Sequence, residues 1–271
     1  MGDIESFLKE DLGTEGDITS ESLFTSEIVK ANIIAKQDCV FAGIDEIKEI
    51  FDKLDVKSTL FVKDGAIVKK DTIVAKLDGK ATSILKGERL ALNIISRMSG
   101  IATETIKIVD KVRKINPNVT IASTRKTTPG FRKYEKKAVV IGGGELHRFG
   151  LYDAVMIKDN HLKIAGSIET AITKIKQKIQ NKTIEVEVEN YDDAIKVAKI
   201  GVDVVMLDNF TPTEGKKTAE KIREINPNIL IEISGGITPE NIANYASFAN
   251  RISMGCLTNS AKSIDFSLEI V

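Results

Sequence analysis

From Val119 to the end of the chain one pattern recurs: a short β-branched run, a polar or glycine-bearing turn, then an amphipathic stretch. The β-branched runs, at residues 119–123, 153–157, 183–189, 203–207, 229–233 and 250–254, predict six strands. Between them Ile164, Ile168, Ile172, Ile175 and Ile179 recur at spacings of three or four, which predicts one apolar helical stripe, and Ala194, Ile195, Val197 and Ala198 begin another. Strands alternating with helices imply a parallel sheet with helices outside it, and six such units favour closure into a barrel.

The first hundred residues follow a different rhythm. A short helix over Ile4 to Lys9 precedes two stretches, 31–43 and 58–79, in which apolar and polar residues alternate between glycine turns, as in antiparallel strands. Within the second stretch, residues 62–79 faintly resemble a lipoyl or biotinyl carrier but have no lysine at a recognisable hairpin tip, so a structural role is the better reading. A helix over residues 86–100 joins the two parts, with Leu90, Ile94 and Met98 on one face and Arg89, Asn93 and Arg97 on another.

Charge narrows the partners. Lys plus Arg and Asp plus Glu stand at 39 each, so there is no general cationic surface for nucleic acid. Cys39 and Cys256 lie far apart, with no spacing that makes a zinc site, which fits a reducing cytoplasm. The acidic start and the lack of a long apolar run argue against a secretory signal or a membrane span. Met1-Gly2 with Ser6 matches a loose acylation pattern that occurs often by chance.

In a βα barrel the chemistry is assembled where the strands end. The predicted strands are followed by Thr124-Arg125-Lys126, by Lys158-Asp159-Asn160-His161, by Glu187 and Glu189, by Asp208-Asn209, by Ser234-Gly235-Gly236 and by Gly255. Alternation along residues 183–189 puts Glu185, Glu187 and Glu189 on one face, which in a barrel points inward and needs cations or a metal as partners. The late glycine turns sit where many barrels bind phosphate. Gly142-Gly143-Gly144 lacks the GxGxxG spacing and reads as a flexible connection into His147-Arg148. Arg125, Lys126, Arg132, His147, Arg148 and Lys158 form a cationic cluster suited to a polycarboxylate or phosphate ligand, and carboxylates beside phosphate turns suggest Mg²⁺ carrying a pyrophosphate.

At these residues the chain resembles the quinolinate phosphoribosyltransferase family, the carboxylating nicotinate-nucleotide pyrophosphorylases. The resemblance rests on segments 10–19, 88–103, 124–132, 142–153, 157–161, 185–189, 205–210, 232–237 and 252–260, in one order over almost the whole chain. It implies an α/β protein: an N-terminal α/β sandwich with linking helix and dimer contacts over residues 1–103, then an irregular parallel α/β barrel of the type II phosphoribosyltransferase kind over 104–271. It also implies the reaction of quinolinate with phosphoribosyl pyrophosphate, giving nicotinate mononucleotide, pyrophosphate and CO₂ with Mg²⁺.

Motif by motif, the resemblance assigns Thr124, Arg125, His147, Arg148 and Lys158 to quinolinate, with Arg89 reaching the site of a neighbouring subunit in a dimer or larger homo-oligomer. Lys126 and Lys158 would meet the sugar-phosphate substrate. Glu187 and Asp208 would meet ribose and Mg²⁺, and Ser234, Gly235, Gly236 and Gly255 the 5′-phosphate. One departure stands out: Glu145-Leu146 precedes His147 where the family often has Asn. The alternatives are the ModD branch associated with molybdenum transport, a nicotinate phosphoribosyltransferase and a non-catalytic anion-binding barrel. A pure anion binder has little use for Glu187 and Asp208 in the pocket of Arg125.

Overall fold

The computed structural model describes residues 3–271, so the acylation pattern at Met1-Gly2 lies outside the described residues. The chain begins with α1 (Asp3–Leu12), α2 (Ile18–Leu23), β1 (Ile28–Ala35), β2 (Cys39–Val40), α3 (Ile44–Lys53), β3 (Lys57–Leu60), β4 (Ile67–Val68), β5 (Ile73–Lys80) and the long helix α4 (Ala81–Arg113). Then follow β6 (Thr120–Ala122), α5 (Arg132–Ile141), β7 (Val155–Ile157), α6 (Asp159–Ala165), α7 (Ile168–Lys178), β8 (Ile184–Val188), α8 (Tyr191–Ile200) and β9 (Val204–Asp208). The last elements are α9 (Pro212–Ile225), β10 (Leu230–Ser234), α10 (Ala243–Ala246), β11 (Arg251–Ser253), α11 (Cys256–Asn259) and β12 (Phe266–Ile270). All six strands expected from the β-branched runs form, each within a residue or two of its expected limits.

Two compact units result. The first holds the chain as far as Ile106 together with Gly130–Gly142 and Ala261–Val271; the second holds Lys107–Pro129 and Gly143–Ser260. The expected single division after residue 103 thus meets two later returns to the first unit, α5 and β12. Each return is held by contacts with elements of the first unit. Alternation in FSLEI lets β12 pair antiparallel with β1, Ala31 opposite Ile270 and Ala35 opposite Phe266. On α5, buried Glu135 accepts hydrogen bonds from Arg97 of α4 at 2.9 and 3.1 Å.

The first unit is built on an antiparallel sheet of order β12-β1-β5-β3. Ala31, Ile33 and Ala35 on β1 and Val74, Ala75 and Leu77 on β5 are buried, as are Ile47, Ile50 and Phe51 on α3 and Ile94, Ile95 and Met98 on α4. A side chain at Gly87 would lie 2.8 Å from both Leu54 and Phe51, so the glycine lets the backbone of α4 pack closely there. Hydroxyls on α4 satisfy the loop around β2: Thr103 Oγ1 accepts from Val40 N and Ser99 Oγ from Ala42 N. β4 pairs with β2 while β5 pairs with β1 and β3, so the carrier-like stretch is no hairpin.

The second unit carries the parallel sheet, in the order β6-β11-β10-β9-β8-β7. Its middle strands are apolar on one face, with Val186, Val205, Leu207, Ile231 and Ile233 fully buried, and α8 packs against β8 and β9. Among the described residues no backbone ladder joins β7 to β6, but Glu145 forms a parallel bridge with Ala122 and adds one strand position beyond β6. The expected stripe from Ile164 to Ile179 is two helices. Gly166, at φ 87°, ends α6 and Ser167 caps α7, accepting from Thr170 N at 3.1 Å. Ile164 is therefore 88% exposed, whereas Ile168 and Ile172 are buried.

Candidate active site

Side chains at the carboxyl ends of all six parallel strands line one cavity of about 750 Å³. β6 supplies Ser123 to Lys126, β7 leads into Lys158, β8 supplies Glu187, β9 Asp208 and Asn209, β10 Ser234 to Gly236, and β11 Ser253 and Gly255. The segment after Glu145 adds His147 and Arg148. A flat six-stranded ribbon cannot present its two edge strands to a single cavity, so the sheet is strongly curled.

Every residue assigned to the site from the sequence lines this cavity except Arg89. Arg89 is an exposed residue of α4 in the first unit, beside a second cavity of about 440 Å³ with Glu10, Asp11 and Phe7, and its nearest carboxylate is Glu88 at 3.8 Å. Arg132 begins α5 in the first unit. His161 serves the chain: its Nδ1 accepts from Lys158 N at 2.9 Å across the start of α6.

Two unlike groups of charge face the cavity. Arg125 and Arg148 form no ion pair with a carboxylate among the described residues. Burial, then the neighbouring Arg125 guanidinium, lowers the pKa of Arg148, as expected where two cations approach without an anion between them. Opposite in sign are Glu187, whose Oε2 takes a hydrogen bond from Lys158 Nζ, and Asp208, which accepts from Asn209 Nδ2 at 2.7 Å. Burial and then the Glu187 charge raise the pKa of Asp208, while Lys158 opposes them. Two carboxylates on an open wall match Mg²⁺, which keeps water and phosphate oxygens among its ligands and does not need a closed protein cage.

The glycine turns are required by shape. Gly235 has φ 80°, and a side chain there would lie 2.6 Å from Asn209 N, so only glycine fits and the turn's backbone borders the cavity. Asn209 also sits at positive φ, 59°, with its N–H donated to Ser234 O. Gly142 departs from the expected flexible connection: a side chain there would lie 2.7 Å from Ala102 O. The segment beyond it is held too, because Glu145 N donates to Ile121 O and Ser123 N to Glu145 O.

Sequence reasoning put Glu185 on the inward face but missed Glu232, which lies behind the cavity-lining His147 and Ser253. Glu232 of β10 is fully buried and receives three donors: His147 Nε2 at 3.2 Å, Arg251 Nη1 at 3.0 Å and the Ser253 hydroxyl. Glu185 Oε2 lies 3.4 Å from the same Nε2, and its Oε1 is buried without a hydrogen-bond partner. Burial opposes charge on the His147 ring, but its hydrogen bonds to Glu185 and Glu232 win and push its pKa up to about 9. Burial likewise pushes Glu185 up; in Glu232 the bonds from His147 and Ser253 outweigh burial and hold it below the ordinary value. The signal was present in ILIEI: period two puts Glu232 on the face of Ser234, and β10–β11 register sets it beside Arg251.

Comparison with known proteins adds relatives. Residues 101–269 match the family described as quinolinate phosphoribosyl transferase, C-terminal domain, and residues 17–99 its N-terminal domain. A probable nicotinate-nucleotide pyrophosphorylase [carboxylating] of Archaeoglobus fulgidus is 46% identical, covering 94% of this chain and 98% of its own. Its counterpart from Bacillus subtilis is 43% identical, over 98% and 92%. The crystal structure of a nicotinate-nucleotide pyrophosphorylase from Ehrlichia chaffeensis superimposes with a TM-score of 0.93 at 38% identity, over 99% of this chain and 97% of that one.

Proposed function

The chain belongs to the quinolinate phosphoribosyl transferase family, and from that premise we propose that it transfers the phosphoribosyl group of phosphoribosyl pyrophosphate to quinolinate with decarboxylation. The products are nicotinate mononucleotide, pyrophosphate and CO₂, a step of NAD biosynthesis. One observation carries the reading: Arg125 and Arg148, which form no ion pair among the described residues, and a pair of carboxylates border the same cavity. Unpaired guanidinium groups call for an anionic ligand, and Arg matches a carboxylate with two parallel hydrogen bonds. Glu187 and Asp208 would repel that anion, so they serve something else. This favours an enzyme over a non-catalytic anion binder.

The roles follow from charge. Arg125 and Arg148, with Thr124 and Lys158, hold the two quinolinate carboxylates, and His147 supports them. Lys126 meets the sugar-phosphate substrate, and the backbone N–H groups of Ser234 to Gly236 with Gly255 receive its 5′-phosphate. As pyrophosphate departs, positive charge grows on the ribose, and Glu187 and Asp208 stabilise it before the pyridine nitrogen attacks. Mg²⁺ held by Glu187 and Asp208 would neutralise the leaving pyrophosphate. Once the nitrogen is alkylated, the electron pair released as CO₂ leaves stays at C2 beside the positively charged nitrogen, a proton from water then completes the C2–H bond of nicotinate mononucleotide, and Arg125 and Arg148 keep the other carboxylate in place.

The site is completed in a homodimer or larger homo-oligomer, with Arg89 serving a neighbouring copy. Its exposure and weak pairing with Glu88 support this. Among the described residues no helix is long and apolar enough to cross a membrane, and Cys39 and Cys256 are free thiols; we place the protein in the cytoplasm. The test is turnover of quinolinate labelled in its C2 carboxylate with phosphoribosyl pyrophosphate and Mg²⁺. Labelled CO₂ and nicotinate mononucleotide should appear in equal amounts. A folded protein that releases neither product, or that accepts nicotinate in place of quinolinate, would overturn the reading.

A further inference from the structure

We propose that Glu232, assisted by Glu185, is a positioning residue that sets the dicarboxylate clamp by anchoring the ring of His147 beneath it; this rests on the quinolinate reading above. Both ring nitrogens of His147 face protein. Nε2 meets Glu232 at 3.2 Å and Glu185 at 3.4 Å, and Nδ1 lies 2.7 Å from Arg148 N. The ring is thus a bracket between the buried carboxylates and the main chain of the clamp.

A bracket is needed because of the backbone. His147 has φ 51°, in the left-handed region that costs a non-glycine residue about 1 kcal/mol or more. The anchored ring holds the chain in that turn, and the turn delivers the next residue, Arg148, to the cavity. Glu232 is in turn fixed by Arg251 Nη1 and the Ser253 hydroxyl, and Arg251 Nη2 reaches Glu145 at 2.7 Å, at the strand position from which the 147–148 segment departs. Glu232 and its partners therefore grip the segment at its start and at its bend. A glutamine at position 232 has the same shape but cannot accept from three donors, since its NH₂ must face one of them.

Steady-state kinetics with each substrate varied, for wild type, Glu232→Gln, His147→Ala and the double variant, tests this. In E232Q, KM for quinolinate should rise about tenfold while KM for phosphoribosyl pyrophosphate stays within about twofold, even as the loss of the charged partner to Arg251 lowers the melting temperature. The double variant should be no worse than H147A by more than about twofold, because the carboxylate acts through the ring. An unchanged KM for quinolinate, a parallel rise in both KM values, or effects that multiply would overturn the inference. Should E232Q not fold, Ser253→Ala, which strips one donor from Glu232, should raise the quinolinate KM about threefold and leave the other alone; no change there overturns it equally. Wild type inert toward quinolinate would instead sink the substrate reading and this inference's premise with it.

Discussion

In the first unit the buried carboxylate of Glu135 takes Arg97 at 2.9 Å, and Lys137 Nζ sits among Glu46, Asp45 and Asp64 at 2.9 to 3.7 Å. In the second, Arg125 and Arg148 border the cavity with no carboxylate between them, while Glu187 and Asp208 crowd each other nearby. The first arrangement closes its charge within the chain and so serves stability. The second leaves Arg125 and Arg148 without an ion pair and Asp208 facing the cavity, with only Glu187 met by Lys158, which costs folding energy and suits a site for a ligand. A group of three acids shaped like a metal site, Asp45, Glu46 and Asp64, belongs to the closed kind, because Lys137 already fills it.

The widest separation should come from matched arginine variants. Arg125→Ala should lower kcat/KM for quinolinate about a thousandfold, equivalent to about 4 kcal/mol, with an unchanged melting temperature. Arg97→Ala should do the reverse, costing about 3 kcal/mol in denaturant unfolding because Glu135 is left buried without its guanidinium, while activity per folded molecule survives. Should both lose activity without loss of stability, the contrast between closed and open charge would fail.

Next in size, Asp208→Asn should reduce kcat about a hundredfold and weaken the Mg²⁺ dependence of turnover, measured by titrating the metal at saturating substrates. The pH profile sharpens the same point. In the proposed role Asp208 acts as a carboxylate, and because its pKa is raised kcat/KM should fall on the acid side at a pH above the ordinary aspartate range. Glu187→Gln removes the like charge and should move that limb to lower pH; an unmoved limb would detach Asp208 from it. The smallest effect should be Leu146→Asn, within about threefold in kcat/KM. Leu146 is 43% exposed, and the contact its segment makes with β6, from Ser123 Oγ to Leu146 O, uses the backbone.

The arrangement of strands was readable because alternation and β-branching act locally, and each parallel strand announces itself within five or so residues. Lys158, Glu187 and Asp208 were readable for the same reason, since they stand at strand ends and a barrel gathers strand ends. The division between units was less so. Whether FSLEI joins the parallel sheet or pairs with β1 depends on a partner more than two hundred residues away, and nothing local distinguishes the two. Glu232 was legible as a lone acid in an apolar strand, but its meaning needed Arg251, Ser253 and His147 around it.

Taken alone, the sequence determined the elements and the polarity of each strand end, because backbone periodicity and turn chemistry are set by neighbours along the chain. Only the tertiary structure decided which charges are closed and which stay open. Arg97 and Arg125 are the same residue type, and nothing in that type says which of them meets a carboxylate. A charge is neutralised by whatever the fold brings within about 4 Å of it, and that distance runs through space and not along the chain.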